Sequence, residues 1–463
     1  MSLNRNRQWS YLLLIASLSA IIVATIYPFK FVVPEGFSLE FIIEKFKFGS
    51  AVKDYLQNIL LFIPLGISLA AIYERKQRNT LLILIICLIS ATVSTAVEIT
   101  QFCLPVRISN LTDIIYNSLG GTLGGVLYCW RSKINKFALG IIKADPEQLS
   151  LKSLLIAIAG YCLLVILGVW VLLISVNLSN WDEEFYLAIG NEVTGDRPWN
   201  GHIYNLYISD RSLDKSQIEQ AFEQTDSVFT DPSLVTALDF SQFKNYYSDF
   251  SQHIPNLLWQ SPSFQRSDRD SKSSGILLNS EQWLKTAEPA RYLTKRLKNS
   301  GEFSLFITIS TNELNQTGPA RIISLSQGVY NHNLIIGQEK TDLSFRLRTP
   351  ITGSSATQPE FIIPEVFNSN IAHQLIITFS ANRLNFYLDD IDSYYSFEFT
   401  PSICFVAYFP WQKQNWIIDL SDFKINKYQR YFYTLIIVPL AILIFALLYY
   451  LTVNKSTGKN SDS

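Results

Sequence analysis

Six stretches of this chain approach the roughly 20 apolar residues that a helix needs to cross a hydrocarbon core: 9–27, 56–73, 80–99, 113–130, 153–176 and 431–452. Within hydrocarbon a segment has to satisfy its own backbone, so runs of this kind dictate helices. Only 17% of the residues are charged, too few for a chain of this length that is entirely soluble. The charges at the flanks order the crossings, because short cytoplasmic loops are rich in Lys and Arg. Arg5 and Arg7 precede the first run, Arg75, Lys76 and Arg78 follow the second, Arg131, Lys133 and Lys136 follow the fourth, and Lys455 and Lys459 follow the sixth. Both termini are thereby expected on the cytoplasmic side of the plasma (inner) membrane. The loops at 29–54 and 102–112 and the long segment 177–430 fall outside, or in the periplasm. A basic start before an apolar run also fits a cleaved signal peptide, but the length of the run and the lack of an A-x-A-like site favour a retained helix.

Polar residues interrupt the first apolar region. Asn58, Glu98, Gln101, Asp113 and Asn117 lie in or at the ends of its runs, with Asp54 one helical turn before Asn58 and Arg107 in a short loop. Such groups are costly in a membrane and usually pair, face a bundle interior and mark a site. Glu98 and Gln101, at i and i+3, share one helix face; Asp113 and Asn117, at i and i+4, share another. The derived topology puts all of them near the outer leaflet. Glu98, Arg107 and Asp113 are the candidate catalytic groups, and Asp54, Asn58, Gln101 and Asn117 the candidate ligand-binding groups. A structural reading stands beside this one, in which Glu98 or Asp113 pairs with Arg107 and closes a hairpin. Gly120, Gly121, Gly124 and Gly125 form overlapping G-x-x-x-G patterns that let helices approach closely. Pro64 with Gly66 is expected to kink the second helix, and the loop 29–53, rich in Phe, is expected either to lie in the interface or to fold over the site.

The pattern Asn58-x5-Pro64-x-Gly66, Glu98-x2-Gln101, Arg107, Asp113-x3-Asn117 and the glycine ladder resembles the VanZ family of bacterial membrane proteins over about residues 9–130. That family is named for an accessory role in glycopeptide resistance, and the resemblance implies a four-helix membrane domain at 1–136 and an envelope role without fixing a reaction.

Past residue 177 the long apolar runs give way to short alternating ones separated by Gly, Pro, Asn, Asp and Ser. Alternation over four to eight residues reads as half-buried strand, with candidates at 303–310, 321–326, 333–337, 343–348, 374–379, 383–388 and 416–425. The expected fold is an all-α transmembrane bundle of about six spans plus an all-β jelly-roll sandwich. GPARIISLSQG at 318–328, NLIIGQ at 333–338, LSFRLRTPITG at 343–353 and the pair LIITFS and RLNFYLDD resemble the concanavalin A-like lectin/glucanase superfamily in its laminin-G-like form, over 231–428. Asp389-Asp390 stands where that form usually has Asp-Gly, which puts the turn type in doubt. AIGNEVTGDRPWNGHIYNLYISDRSL at 188–213 resembles its closing hairpin yet precedes the rest. It either completes one permuted-looking roll or is a relic of a duplicate.

The resemblance implies no hydrolysis, since the E-x-D-x(1,2)-E strand of its glucanase members is missing. The acidic clusters at 182–184 and 389–392 read as solvated loop charges. Trp199, Trp259, Trp283, Trp411 and Trp416 are available as a sugar platform or as packing. Cys87, Cys129 and Cys162 fall in spans, Cys103 at a membrane edge, and Cys404 alone in the large segment, so no internal bridge is expected there. His202, His253, His332 and His373 have no metal-ligand spacing, so neither a metal nor a cofactor is expected. Net charge of −1 gives no reason to expect nucleic acid. The expected partners are membrane lipid, an envelope glycan or lipid-linked precursor, and other envelope proteins. A fifth span at 153–176, a sixth at 431–452 and a tail at 453–463 complete the organisation. Two functions fit: handling or modifying such a precursor at the outer leaflet, or anchoring a binding or structural module without catalysis.

Overall fold

The computed structural model describes residues 2–27, 29, 31–32, 38, 40, 46, 52–73, 79–104, 109–142, 150–224, 232–260, 275–407 and 416–458. The chain divides into two compact units, Met1–Leu164 with Ile437–Ser463, and Val165–Ile436.

The first unit is helical. Its core helices are α1 (Ser2–Ile26), α2 (Val52–Tyr73), α3 (Asn79–Gln101) and α4 (Leu111–Ile142). Residues from α5 (Leu151–Ile174) and from the last helix, α9 (Asn426–Gly458), join them. Among the described residues four helical stretches are long and apolar enough to cross a membrane: Gln8–Ile26, Asn79–Gln101, Leu151–Ile174 and Asn426–Val453. The expected second run lies within α2, whose fully described apolar stretch is Gln57–Tyr73, and the expected fourth lies inside α4, where glycines and polar residues dilute it. Ile21, Phe62, Leu65, Leu69, Leu82, Ile86 and Val97 form the buried centre, while Leu60, Leu84, Leu88, Leu119 and Phe445 are exposed. Large apolar side chains on the exterior of helices suit a lipid surround. Pro64 sits within α2, with helix on both sides.

Glycines set how close α2 and α4 come. A Cβ at Gly120 would overlap the Ile59 carbonyl, one at Gly124 the Ile63 carbonyl, and one at Gly66 the Gly121 carbonyl oxygen. Contacts running in the order 59 to 120 and 63 to 124 make the two helices parallel. Tyr55 stacks on Tyr116 one turn before the crossing, with ring centroids 4.1 Å apart. Backbone contact of this kind is the packing that small residues permit in membranes, where apolar side chains gain nothing over lipid tails.

The second unit is built on two sheets. One has nine strands in the order β16 (Ile417–Asp419), β12 (Glu360–Ile363), β11 (Asp342–Leu347), β10 (Asn331–Glu339), β9 (Ala320–Gly328), β1 (Tyr186–Ile189), β7 (Trp283–Thr286), β5 (Leu257–Gln260) and β4 (Tyr246–Tyr247). The other runs β15 (Asp390–Glu398), β14 (Arg383–Leu388), β13 (His373–Ser380), β8 (Phe303–Thr311), β2 (Gly201–Ser209) and β3 (Leu234–Asp239), with β6 (Ile276–Leu278) also paired to β2. One shared core takes Ile189, Ile323, Leu325, Ile336 and Phe345 from the first sheet and Leu206, Ile307, Ile377 and Phe386 from the second. Short helices α6 (Lys215–Glu223), α7 (Arg291–Ser300) and α8 (Pro401–Ala407) fill the connections.

Two expectations change here. The stretch at 188–213 is not a hairpin: β1 pairs with β7 and β9, whereas β2 pairs with β3, β6 and β8, so its two strands lie inside different sheets. The link between them is pinned to the interior by Trp199, fully buried, whose indole donates to Gln338 Oε1 at 2.8 Å. The strand expected at 416–425 ends at Asp419, whose carboxylate accepts from the Ser421 backbone N–H at 2.9 Å and turns the chain. Asp389, at the Asp position of the Asp-Gly turn, takes the left-handed conformation (φ 60°), whereas Asp390, where the glycine would stand, does not. Aspartate tolerates it by local hydrogen bonding, here from the Gln374 N–H at 2.7 Å and the His373 Nδ1 at 2.6 Å.

The close helix approach generates a direct test. Gly124→Leu should destabilise the bundle by at least about 1–3 kcal/mol through overpacking, whereas Gly160→Leu, where a side chain meets open space, should be tolerated. Unfolding of purified protein in mixed micelles against added SDS separates them.

Candidate functional site in the helical unit

Along the buried face of α3 the side chains change from apolar to polar: Leu82, Ile86, then Ser90, Ser94, Val97, Glu98 and Gln101. The opposing face of α4 meets it in reverse order. A Cβ at Gly125 would lie 2.9 Å from Ile86 Cδ1, and one at Gly121 would overlap Ser90 Oγ. Next, the Asn117 side-chain amide donates to Ser94 Oγ at 2.8 Å, and the Asn110 backbone N–H donates to Glu98 Oε2 at 2.7 Å. Contacts one turn apart on both helices make α3 and α4 antiparallel, packed tightly at one end and polar at the other.

The polar end is tied at several points. The Ser109 hydroxyl donates to the Glu98 carbonyl at 2.8 Å. Asn110 caps α4, its Oδ1 accepting from the Thr112 N–H at 3.0 Å and hydroxyl at 2.8 Å; such a cap satisfies donors that have no partner within a helix. Gln101 reaches α1, donating to the Thr25 carbonyl at 3.1 Å. Asp113, half-buried, sits in the first turn of α4, where the helix dipole favours a negative charge. From the loop before α2, the Val32 N–H donates to the Cys103 carbonyl at 2.7 Å and Phe46 packs edge-on to Phe102 at 5.1 Å, beside Gln101.

Three buried polar atoms of this unit, Asn58 Nδ2 on α2 and Ser90 Oγ and Asn117 Oδ1 between α3 and α4, have no hydrogen-bond partner among the described residues. Ser68, Thr92, Thr95, Thr100, Ser118 and Thr122 all donate to a carbonyl three or four residues back. Ser90 departs from that habit and packs its oxygen on the backbone of Gly121, in the manner of a Cα–H···O contact. Asn117 differs again. Its NH2 is committed to Ser94, which leaves its carbonyl oxygen an acceptor without a donor on a side chain only 2% exposed. A buried polar atom left in this state costs free energy.

The structure thus brings Glu98, Gln101, Asp113 and Asn117 to one end of the α3–α4 pair. Arg107 lies outside the described residues, as do the side chain of Asp54 and most of the loop 29–53. Sequence reasoning missed Ser90 and Ser94. Their signal was the spacing Ser90-x3-Ser94-x3-Glu98, which puts all three on one helix face.

The second unit holds a separate polar layer that sequence reasoning also missed. Arg321, Ser324, Ser326, His332, Ser344, Arg346 and Glu360 lie on the sheet face that turns away from the core. Glu192, fully buried, lies over them and accepts from Ser324 Oγ at 3.0 Å, from Ser326 Oγ and, at 3.4 Å, from Arg321 Nε. Arg346 donates to Glu360 at 2.9 Å, as does Ser344 at 2.5 Å. Burial and the neighbouring Arg346 pull the Arg321 guanidinium down to about 10. Burial, with Arg321 and Arg346 nearby, pushes His332 down to about 3. The acidic clusters at 182–184 and 389–392 serve the surface: Glu184 pairs with Arg291 at 2.6 Å, and Asp390 accepts from the Asp392 N–H at 2.9 Å. Trp199, Trp283 and Trp416 are packing residues, buried to 0%, 8% and 7% exposure. Trp259 is half-buried against Phe243 at 5.6 Å, and Trp411 lies outside the described residues.

Residues 4–132 match the family model described as VanZ/LLP1. That stretch holds α1 to α3, most of α4 and every described member of the polar cluster. Together with the apolar helices, the match makes this a membrane protein in keeping with a general role at the cell envelope. No curated protein and no solved structure matches the chain.

His332 supplies a pH test for the polar layer. Its folded pKa lies below the unfolded value, so between pH 6.5 and about 3 the unfolded chain holds a proton that the folded chain refuses. Stability should therefore fall as pH drops through that window, at up to about 1.4 kcal/mol per pH unit from this group. Urea unfolding of residues 178–429 at several pH values should show His332→Gln with a shallower slope than the parent.

Proposed function

We propose that the polar end of the α3–α4 pair is a site that holds, or acts on, the headgroup of an envelope lipid or lipid-linked glycan precursor at the outer leaflet. The observation that carries this reading is the unpartnered Asn117 carbonyl oxygen, sealed from solvent within one helical turn of buried carboxylate and amide groups. A fold seeking only stability gains nothing from an unsatisfied acceptor in an apolar surround. Val32 and Phe46, from the segment before α2, contact the end of α3 at Cys103 and Phe102. In this reading α2 and α4 cross the membrane with the four longer helices, giving six spans, both termini cytoplasmic and residues 177–430 outside. The two-sheet unit is a jelly roll of the concanavalin A-like, laminin-G-like type that contacts carbohydrate or an envelope protein without hydrolysing it; its support is the two-sheet core and the surface pairing of its loop carboxylates.

A second reading is favoured by one observation. Glu98 receives the Asn110 N–H and its own carbonyl receives Ser109, so it also ties the connection to α4, as a scaffold residue would. Glu98→Gln and Asp113→Asn separate the two, since both keep hydrogen-bonding capacity and remove charge. As site residues they should abolish the cellular phenotype of the gene while folded protein stays in the membrane. As scaffold residues they should lower stability, by roughly 3–5 kcal/mol if a desolvated charge partner is stranded. Recovery of both stability and phenotype in the double change Glu98→Gln, Arg107→Gln would leave the anchor reading standing.

The topology has its own test. A membrane-impermeant thiol reagent applied to intact cells should label Ser354→Cys and spare Ser456→Cys, and the reverse pattern would overturn the orientation.

A further inference from the structure

Resting on the reading that α5 and α9 span the membrane, we propose that the two-sheet unit is seated in the outer face of the bilayer and does not stand clear of it on linkers. Its partner is the lipid around Ile166, Leu167, Trp170, Ile174, Tyr431 and Tyr433. Each helix has two faces where it enters this unit, which takes in Val165–Ile436. Val169, Leu172 and Val176 of α5 and Tyr428, Phe432 and Ile436 of α9 recur at three- and four-residue spacing, which puts them on one face of each helix. They join or pack against the core shared by the two sheets. Phe432 meets Phe405 of α8 with ring centroids 5.5 Å apart, and Tyr428 meets Trp416 at 5.9 Å. The chain from α5 enters as directly. Leu178, just past the end of the helix, is fully buried, and the Trp181 indole donates to the Arg348 carbonyl at 2.8 Å.

The other face of each helix is apolar and open. The six side chains named above are 45% to 68% exposed. They continue the surface of the apolar stretches Leu151–Ile174 and Asn426–Val453 to a height where the opposite face is already sandwich core. The stretches 169–176 and 428–436 each cover about 10–12 Å of helix at 1.5 Å per residue. The headgroup layer of one leaflet is only about 5–8 Å deep. Lipid that covers an apolar flank of this height therefore rises to the base of the sheets, and the base lies at headgroup depth. The residue types agree, because Trp and Tyr gather where hydrocarbon gives way to headgroups. Trp170, Tyr431 and Tyr433 all fall within the stretches that carry both faces.

The test uses the full-length protein in phosphatidylcholine nanodiscs, with the photo-crosslinking residue p-benzoylphenylalanine placed singly at Trp170, Tyr431, Phe445 or Tyr330. Phe445 lies within the α9 span and Tyr330 between β9 and β10, and both are exposed. After irradiation, the intact mass should show lipid adducts from Trp170 and Tyr431 as readily as from Phe445, and none from Tyr330. Trp170 and Tyr431 belong to different helices, so if one variant fails to fold the other decides. Loss of lipid adducts at these two positions while Phe445 keeps them overturns the inference and leaves the spans standing. Adducts at the mass of two chains in place of lipid would assign the flank to a second copy and overturn it equally. Absence of lipid adducts at every position, Phe445 included, would count against the spanning reading itself and take the inference with it.

Discussion

The backbone contact of α2 with α4 is the constraint on which the helical unit depends. Apolar side chains do not drive helices together in lipid, so association rests on close packing and on hydrogen bonds between helices. Gly120 and Gly124 remove the side chains that would keep Ile59 and Ile63 at a distance. With α4 held against α2 in parallel and against α3 in antiparallel order, every polar residue near the α3–α4 connection is brought to one end. Asn117 meets Ser94 because Gly121 meets Ser90 one turn away. Without that approach the amide and carboxylate would be spread over separate helix surfaces, where lipid makes isolated polar groups costly.

Much of this was legible in the sequence because a charged or amide residue is conspicuous in an apolar run. Glu98, Asp113, Asn117 and the glycine ladder stood out for that reason, and helical periodicity placed them on faces. Ser90 and Ser94 did not stand out, because a serine in a membrane helix usually satisfies itself by bonding to its own backbone, as Ser118 does through the Ile114 carbonyl. Only the packing shows that Ser90 and Ser94 behave otherwise. The run at α4 is weaker in hydropathy for a related reason: the glycines and polar groups that build its contacts also dilute it.

In the second unit, period-two alternation located β8 to β11, β13 and β14 to within a residue or two. The resemblance failed for β1 and β2 as a pair, since a local likeness does not report which neighbour a strand takes. Nor did the alternation reveal the ionic layer. The face carrying Ser324, Ser326 and Arg346 alternates as an exposed face should, yet Glu192 and its loop cover it. Buried ion pairs of this kind are weak sources of stability, because desolvation offsets most of the attraction. Their effect is to fix the chain that crosses between the sheets in one position.

The central claim is that the α3–α4 polar end is a ligand site and not merely a joint. The most direct measurement is the side-chain amide NMR signal of each asparagine in selectively 15N-labelled full-length protein, recorded before and after addition of envelope lipid extract. The account predicts that the Asn117 and Asn58 signals move while that of Asn110, committed to capping α4, stays in place. Signals of Asn117 and Asn58 that stay fixed through saturating lipid would contradict it.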